Sequence, residues 1–123
     1  MNETQNSKRY DLEDRTLEFA KHIRLFVTKL SKTTANIEDS KQLIRSSGSI
    51  GANYIEANEA LSKKDFVMRI KICRKEAKES RYWLRLIEAD GEDQETERRY
   101  LEQEATELMN IFGSILRKRE KDF

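Results

Sequence analysis

The chain has 123 residues, enough for one small domain. Its 24 basic and 23 acidic residues give a formal net charge of +1, which excludes the large net charge typical of disordered chains. Because proline is absent and only four glycines occur, helices are favoured over turn-rich β folds. The single cysteine, the polar N-terminus and the lack of an apolar run near ~20 residues predict a soluble cytoplasmic protein without a membrane span.

Apolar and small residues recur in steps of three and four, which indicates helices that each bury one stripe. Residues 1–9 are predicted to be a disordered or frayed tail, and residues 10–123 one helical domain. Helix 2 is capped by Thr33, Thr34 or Asn36 in this interpretation. The predicted stripe of helix 1 consists of Leu12, Thr16, Phe19, Ile23, Phe26 and Leu30. That of helix 2 consists of Leu43, Ser47, Ile50, Tyr54, Ala57 and Leu61.

Helices 3 and 4 follow the same pattern. Ser62 begins a capping-box pattern with Asp65, and Gly91 lies in a predicted break between the two helices. Because all connections are short, neighbouring helices must run antiparallel, and the predicted fold is an all-α, up-down-up-down four-helix bundle. The predicted stripe of helix 3 consists of Phe66, Ile70, Cys73, Ala77, Ser80, Leu84 and Ile87. That of helix 4 consists of Leu101, Ala105, Leu108, Phe112 and Ile115.

Some apolar residues lie outside these stripes. Ile72 and Trp83 are placed away from the stripe of helix 3 by their spacing. They either widen the core-facing surface or form a second apolar face that contacts another subunit, so they are candidate oligomer contacts.

Residues suited to catalysis or to metal binding are scarce. His22 is the single histidine, and no Glu-x-x-His motif of the kind used in metal-binding bundles is present. Cys73 lies in a predicted stripe, where a thiol is usually a buried and inert side chain. Glu76 and Glu79 are interpreted as members of solvated ion-pair ladders. The sequence therefore predicts a protein that is not an enzyme and needs no cofactor or metal.

The balanced total charge hides an asymmetry between helices 3 and 4. Residues 63–85 carry a net charge of +6, and residues 86–108 carry a net charge of −7. These charges either neutralise each other across the hairpin or leave a basic ridge on helix 3 that could follow phosphates, the latter only if helix 4 turns its acids elsewhere. The candidate ridge consists of Lys71, Arg74, Lys75, Lys78, Arg81 and Arg85.

The segment 45–61, RSSGSIGANYIEANEAL, poses a choice between a phosphate-binding loop and an unusually thin helix. A P-loop would need a lysine after its second glycine and a strand before it, and neither is present. The buried stripe runs through Gly48 and Gly51 without a break. We therefore predict a helix whose small side chains let a neighbouring helix approach closely.

Several segments resemble one bacterial family. Residues 49–57, SIGANYIEA, resemble the Ser-Ile-x-Ala-Asn-x-x-Glu-Gly signature of the four helix bundle proteins encoded by intervening sequences of large-subunit rRNA genes. The preceding QLIRSS, the KDF of helix 3 and its KEAKESRYWL are similar as well. This chain departs from the family pattern at Gly51, where many members have proline, and at Ala57, where they have glycine.

The resemblance implies a four-helix bundle that often forms a homopentameric ring and has no established enzymatic role. We expect an interaction scaffold with RNA or a protein–RNA complex as partner. The alternative is an accessory subunit like those of a related branch, the diversity-generating retroelements, which bind a reverse transcriptase and nucleic acid. The signature also draws attention to Asn53 and Glu56. These two polar residues either stabilise a helix or subunit contact or face a ligand inside a ring.

Overall fold

The computed structural model describes the backbone of residues 3–121 and the side chains of residues 12–120. Its helices are α1 (Glu3–Thr28), α2 (Thr34–Asn58), α3 (Lys63–Leu86) and α4 (Gly91–Lys121). They form an all-α, antiparallel, up-down-up-down four-helix bundle, which confirms the predicted fold class. The predicted tail at residues 1–9 stays a prediction, because α1 is described there by its backbone alone and residues 1–2 lie outside the described part.

The four helices are arranged in a square. Helices that follow one another in the chain are in contact, and α4 also contacts α1. The α2–α3 and α3–α4 interfaces are the most extensive, and α1 and α4 meet least closely. An open groove of about 680 Å³ runs along this looser α1–α4 interface. The diagonal helices α2 and α4 meet through side chains in the centre, where the ring centroids of Tyr54 and Phe112 lie 5.9 Å apart.

The core consists almost entirely of the predicted stripes, because a spacing of three and four residues returns to one side of an α-helix. Leu116 is buried beside the predicted residues of α4, and Ile115 only partly. The prediction for Leu61 is wrong, because α2 ends at Asn58 and leaves this side chain 99% exposed in the following loop.

Two of the predicted caps are present. The Thr33 hydroxyl accepts a hydrogen bond from the backbone N–H of Asn36, and the Ser62 hydroxyl accepts one from Asp65. Each bond satisfies one of the backbone donors that a helix leaves free in its first turn. Gly91 adopts a φ of 81°, a left-handed conformation that glycine tolerates best, at the start of α4.

Asn36 also joins the two loops at this end of the bundle. Its side chain is 3% exposed. Its amide nitrogen donates to the carbonyl oxygens of Ser31 and Glu88, and its amide oxygen accepts from the backbone N–H of Glu88, each at 3.1 Å. One side chain therefore holds the α1–α2 loop against the α3–α4 loop.

The glycine-containing segment is helical throughout, as predicted. Gly51 lies against α1, where an added Cβ would come within 2.9 Å of the Thr16 hydroxyl oxygen. This hydroxyl donates to the carbonyl oxygens of Leu12 and Glu13, so its position is fixed. The absence of a side chain at residue 51 thus permits the close approach of α1 and α2.

Gly51→Ala is expected to lower the free energy of unfolding by about 1 kcal/mol or more, because the clash with Thr16 exceeds the gain of about 1 kcal/mol in helix propensity. Gly48→Ala is the matched control, since its Cβ would meet only the guanidinium of Arg24 at 3.4 Å. We expect this control to raise stability by up to about 1 kcal/mol. Urea unfolding checks both, and equal stabilities of the two variants would contradict the close approach at Gly51.

Candidate nucleic-acid interface

The basic residues of α3 form a stripe on the flank that faces α4. Lys71, Arg74, Lys78, Arg81 and Arg85 follow one another at steps of four and three, which places them in one row about 21 Å long at 1.5 Å per residue. Their position beside α4 is given by Arg85, whose Nε lies 3.0 Å from Glu102. All are exposed except Arg81, which is partly buried. We call these five residues and Lys75, at the outer edge of the row, the basic ridge.

Most of the basic ridge carries no neutralising partner. The Arg85–Glu102 pair is the one ion pair between the ridge and α4 within the described residues. No described carboxylate forms a hydrogen bond or an ion pair with the other five side chains. Neutralisation between α3 and α4, one of the two interpretations of the charge asymmetry, is therefore limited to the Arg85–Glu102 pair.

Two acids of α4, Glu104 and Glu107, turn toward α1 instead. The Arg15 guanidinium donates to Glu104 at 2.7 and 2.8 Å and to Glu107 at 2.8 Å. Hydrogen bonding with Glu104 raises the pKa of Arg15 above its ordinary value, although partial burial opposes this rise. This two-pronged contact fixes the rotation of α4 relative to α1.

Glu97 makes a second set of contacts with α1. Its carboxylate lies 2.9 Å from Nε2 of His22 and 3.2 Å from Nζ of Lys29. His22 also packs against the ring of Tyr100, at a centroid distance of 5.6 Å. The single histidine therefore serves the α1–α4 interface.

Arg98 forms ion pairs with two acids of its own helix. It pairs with Glu95 and, at 3.1 Å, with Glu102, and it also donates to the carbonyl oxygen of Leu84. The hydrogen bond to Glu95 raises the pKa of Arg98. Glu95, Glu97, Glu102, Glu104 and Glu107 of α4 are thus engaged by α1, Arg85 or Arg98. The basic ridge apart from Arg85 therefore remains a surface of unneutralised positive charge.

Comparison with known proteins places the chain in a family. The model of the 23S rRNA-intervening sequence protein family matches residues 8–114. The chain belongs to this family. A crystal structure of a protein of unknown function from the S23 ribosomal protein family of Bacteroides thetaiotaomicron VPI-5482 is 36% identical, with a TM-score of 0.73. The match covers 85% of this chain and 96% of the other. No curated protein matches the chain.

The signature residues of the chain lie on the α2–α3 side. The Asn53 amide donates to the carbonyl and the hydroxyl of Ser49 and accepts a hydrogen bond of 3.0 Å from Arg69 of α3. Glu56 is exposed and forms no hydrogen bond through its carboxylate within the described residues. Asn53 thus stabilises a helix–helix contact, and the structure does not join it to Glu56 in one site.

The candidate oligomer contacts Ile72 and Trp83 are both partly buried. Trp83 packs against the core and makes an edge-on contact with Tyr82 at 5.2 Å. Its indole Nε1 is buried and has no hydrogen-bond partner in the described part of the chain. A subunit contact through these residues stays a prediction.

Glu76 corrects the interpretation of a solvated ladder on α3. Its side chain is 7% exposed, and it accepts a hydrogen bond of 2.9 Å from Arg45 of α2. Burial raises the pKa of Glu76, but hydrogen bonds with Glu79, Arg45 and Ser49 outweigh this effect and lower it overall. Glu76 lies one residue before the buried Ala77 and faces α2, so spacing within α3 could not reveal its partner.

Cys73 is fully buried, and its thiol donates to the carbonyl oxygen of Ile50 at 3.4 Å. Burial raises the pKa of this thiol to about 12. The thiolate required of a nucleophile is therefore suppressed at neutral pH. Among the described residues, no group of three or more His, Cys, Asp or Glu side chains could hold a metal ion, and no helix is long and apolar enough to cross a membrane.

Proposed function

We propose that this protein is a non-enzymatic scaffold that binds the phosphate backbone of RNA through the basic ridge. The observation that carries the proposal is the row of cations along α3 that α4 leaves unneutralised. The acids that could have covered this row are engaged by Arg15, His22, Lys29 and Arg98. RNA is chosen as the polyanion because the family description associates these proteins with intervening sequences of 23S rRNA.

The chemistry of the ridge suits backbone contacts more than base reading. Arginine and lysine neutralise phosphates and release condensed counterions, so affinity falls steeply with salt. Tyr82, next to Arg81, is exposed and offers a ring on which an unstacked base could lie. Such stacking depends little on sequence, because every base has a flat π face. We therefore propose salt-sensitive binding with little dependence on sequence.

Titration of a labelled single-stranded RNA oligonucleotide between about 50 and 200 mM salt tests the proposal. If the ridge neutralises about five phosphates, the logarithm of the binding constant falls with the logarithm of salt concentration at a slope of about −3.5. Arg74→Glu combined with Lys78→Glu is expected to weaken binding about 100-fold or more, because two charge-assisted contacts are lost.

The matched control combines Lys21→Glu with Lys41→Glu, which changes net charge equally on α1 and α2. Both lysines are exposed and form only weak pairs within their own helices. We expect this control to bind RNA nearly as well as the unaltered protein. Equal losses in both double variants would show that net charge alone drives binding, and an unaltered protein that binds no RNA would contradict the proposal.

Self-association is the second part of the proposal, with a pentameric ring as the expected assembly. It is supported by large apolar side chains that remain exposed on the single chain, including Leu25, Ile55 and Tyr100. Sedimentation velocity of the purified protein is expected to show one species several times the 14.6 kDa of the chain. A protein that stays monomeric at micromolar concentration would contradict the ring.

A further inference from the structure

Two guanidinium groups converge on one buried glycine between α3 and α4. Gly113 carries no side chain, and the backbone there is nevertheless shielded from solvent. A Cβ at this position would lie 3.4 Å from Nη1 of Arg117 and 3.8 Å from Nε of Arg74. Both nitrogens therefore lie within 4 Å of a single point, although their residues come from different helices.

This convergence brings together two like charges without a balancing acid. No carboxylate within the described residues forms an ion pair with either Arg74 or Arg117. Two cations at such a distance repel each other, whereas an anion between them would be attracted by both. The position at Gly113 is thus arranged to gain free energy when an anion binds.

We propose that Arg74 and Arg117 form a clamp for one phosphate group, with Gly113 as its floor. The inference rests on the proposed function in identifying this group as a phosphodiester of the RNA backbone, and it adds Arg117 of α4 to the site. Guanidinium groups donate to phosphate oxygens in fork-shaped pairs at about 2.7–2.9 Å, so one tetrahedral phosphate can accept from two arginines at once.

Gly113 leaves room for both guanidinium groups beside α4. A Cβ at residue 113 would already be in van der Waals contact with each of them. Arg74 is the second residue of the row, three residues after Lys71 and four before Lys78. A phosphate held at Gly113 would therefore fix the register of the strand, and the lysines on either side would contact its neighbours.

A double-mutant cycle of Arg74→Gln and Arg117→Gln tests the clamp by RNA titration across salt. If both arginines hold one phosphate, each single variant loses that contact. The slope of the logarithm of the binding constant against the logarithm of salt concentration then becomes less negative by about 0.7 in both single variants. Each single variant is then expected to lose about tenfold or more in affinity, and the double variant little more than either single variant. Two separate phosphates would instead give additive losses and a slope change of about 1.4.

Lys118→Gln is the matched control for Arg117→Gln, because it removes one positive charge from the next residue of α4. We expect it to leave affinity within about twofold. If the unaltered protein binds RNA and the Arg74→Glu, Lys78→Glu variant does not, but Arg117→Gln binds like Lys118→Gln, the proposed function stands and the clamp is wrong. Additive losses in the cycle also overturn the clamp.

A second measurement uses inorganic phosphate and does not depend on RNA binding. Thermal unfolding is compared in sodium phosphate and sodium chloride at equal ionic strength. A ligand that binds the folded state raises the unfolding midpoint, so phosphate is expected to stabilise the unaltered protein more than Arg117→Gln. Lys118→Gln is expected to behave like the unaltered protein, and an equal response of all three proteins would overturn the clamp.

Discussion

Phe112→Ala is expected to lower the free energy of unfolding by about 3–5 kcal/mol, the usual cost of removing a buried aromatic ring. Phe112 is fully buried in the centre of α4, and its ring meets that of Tyr54 across the bundle. Its removal would leave a cavity where α2 and α4 approach each other through side chains. Urea unfolding monitored by circular dichroism measures the loss.

The matched control is Leu61→Ala, which also truncates a large apolar side chain. Leu61 is 99% exposed, so we expect a change below about 0.5 kcal/mol. A buried leucine would instead cost about 2–5 kcal/mol. A loss of that size for Leu61→Ala would contradict its position outside the core and restore the buried stripe predicted from the sequence.

The contrast between these residues shows what periodicity can predict. Alternating steps of three and four placed nearly every core residue correctly, because residues at that spacing lie on one side of an α-helix and that side is buried. The same rule failed at Leu61 because it continues past the point where a helix ends. The segment after Asn58 contains no proline or glycine to mark that end, and the cap at Ser62 indicates only where α3 begins.

The candidate site was predictable to a smaller extent. The cations of α3 and their spacing are visible in the sequence, but their neutralisation depends on how α4 is rotated. That rotation is fixed by contacts with α1, such as Arg15 with Glu104, which lie 89 residues apart in the chain. Arg117 was missed as a site residue because it and Arg74 reach Gly113 together only when α3 and α4 pack. The one local signal was Gly113, four residues before it.

Asn36→Ala is expected to lower the free energy of unfolding by about 2–3 kcal/mol, the second-largest effect among the proposed substitutions. It removes three hydrogen bonds, each worth about 1 kcal/mol, and leaves backbone groups of Ser31 and Glu88 without this partner. Because Asn36 joins the two loops through three hydrogen bonds, beside the single bond from Ser31 to Asp90, hydrogen exchange is expected to rise in both loops at once.

Asn58→Ala is the matched control, since this asparagine donates one partly buried hydrogen bond to Glu13. We expect a loss of about 1 kcal/mol or less. Asn36→Asp tests the geometry further, because a carboxylate could still accept from the N–H of Glu88 but would repel the two carbonyl oxygens that now receive its protons. It should therefore be at least as destabilising as Asn36→Ala, and a stable Asn36→Asp protein with unchanged exchange in both loops would contradict the joining role of Asn36.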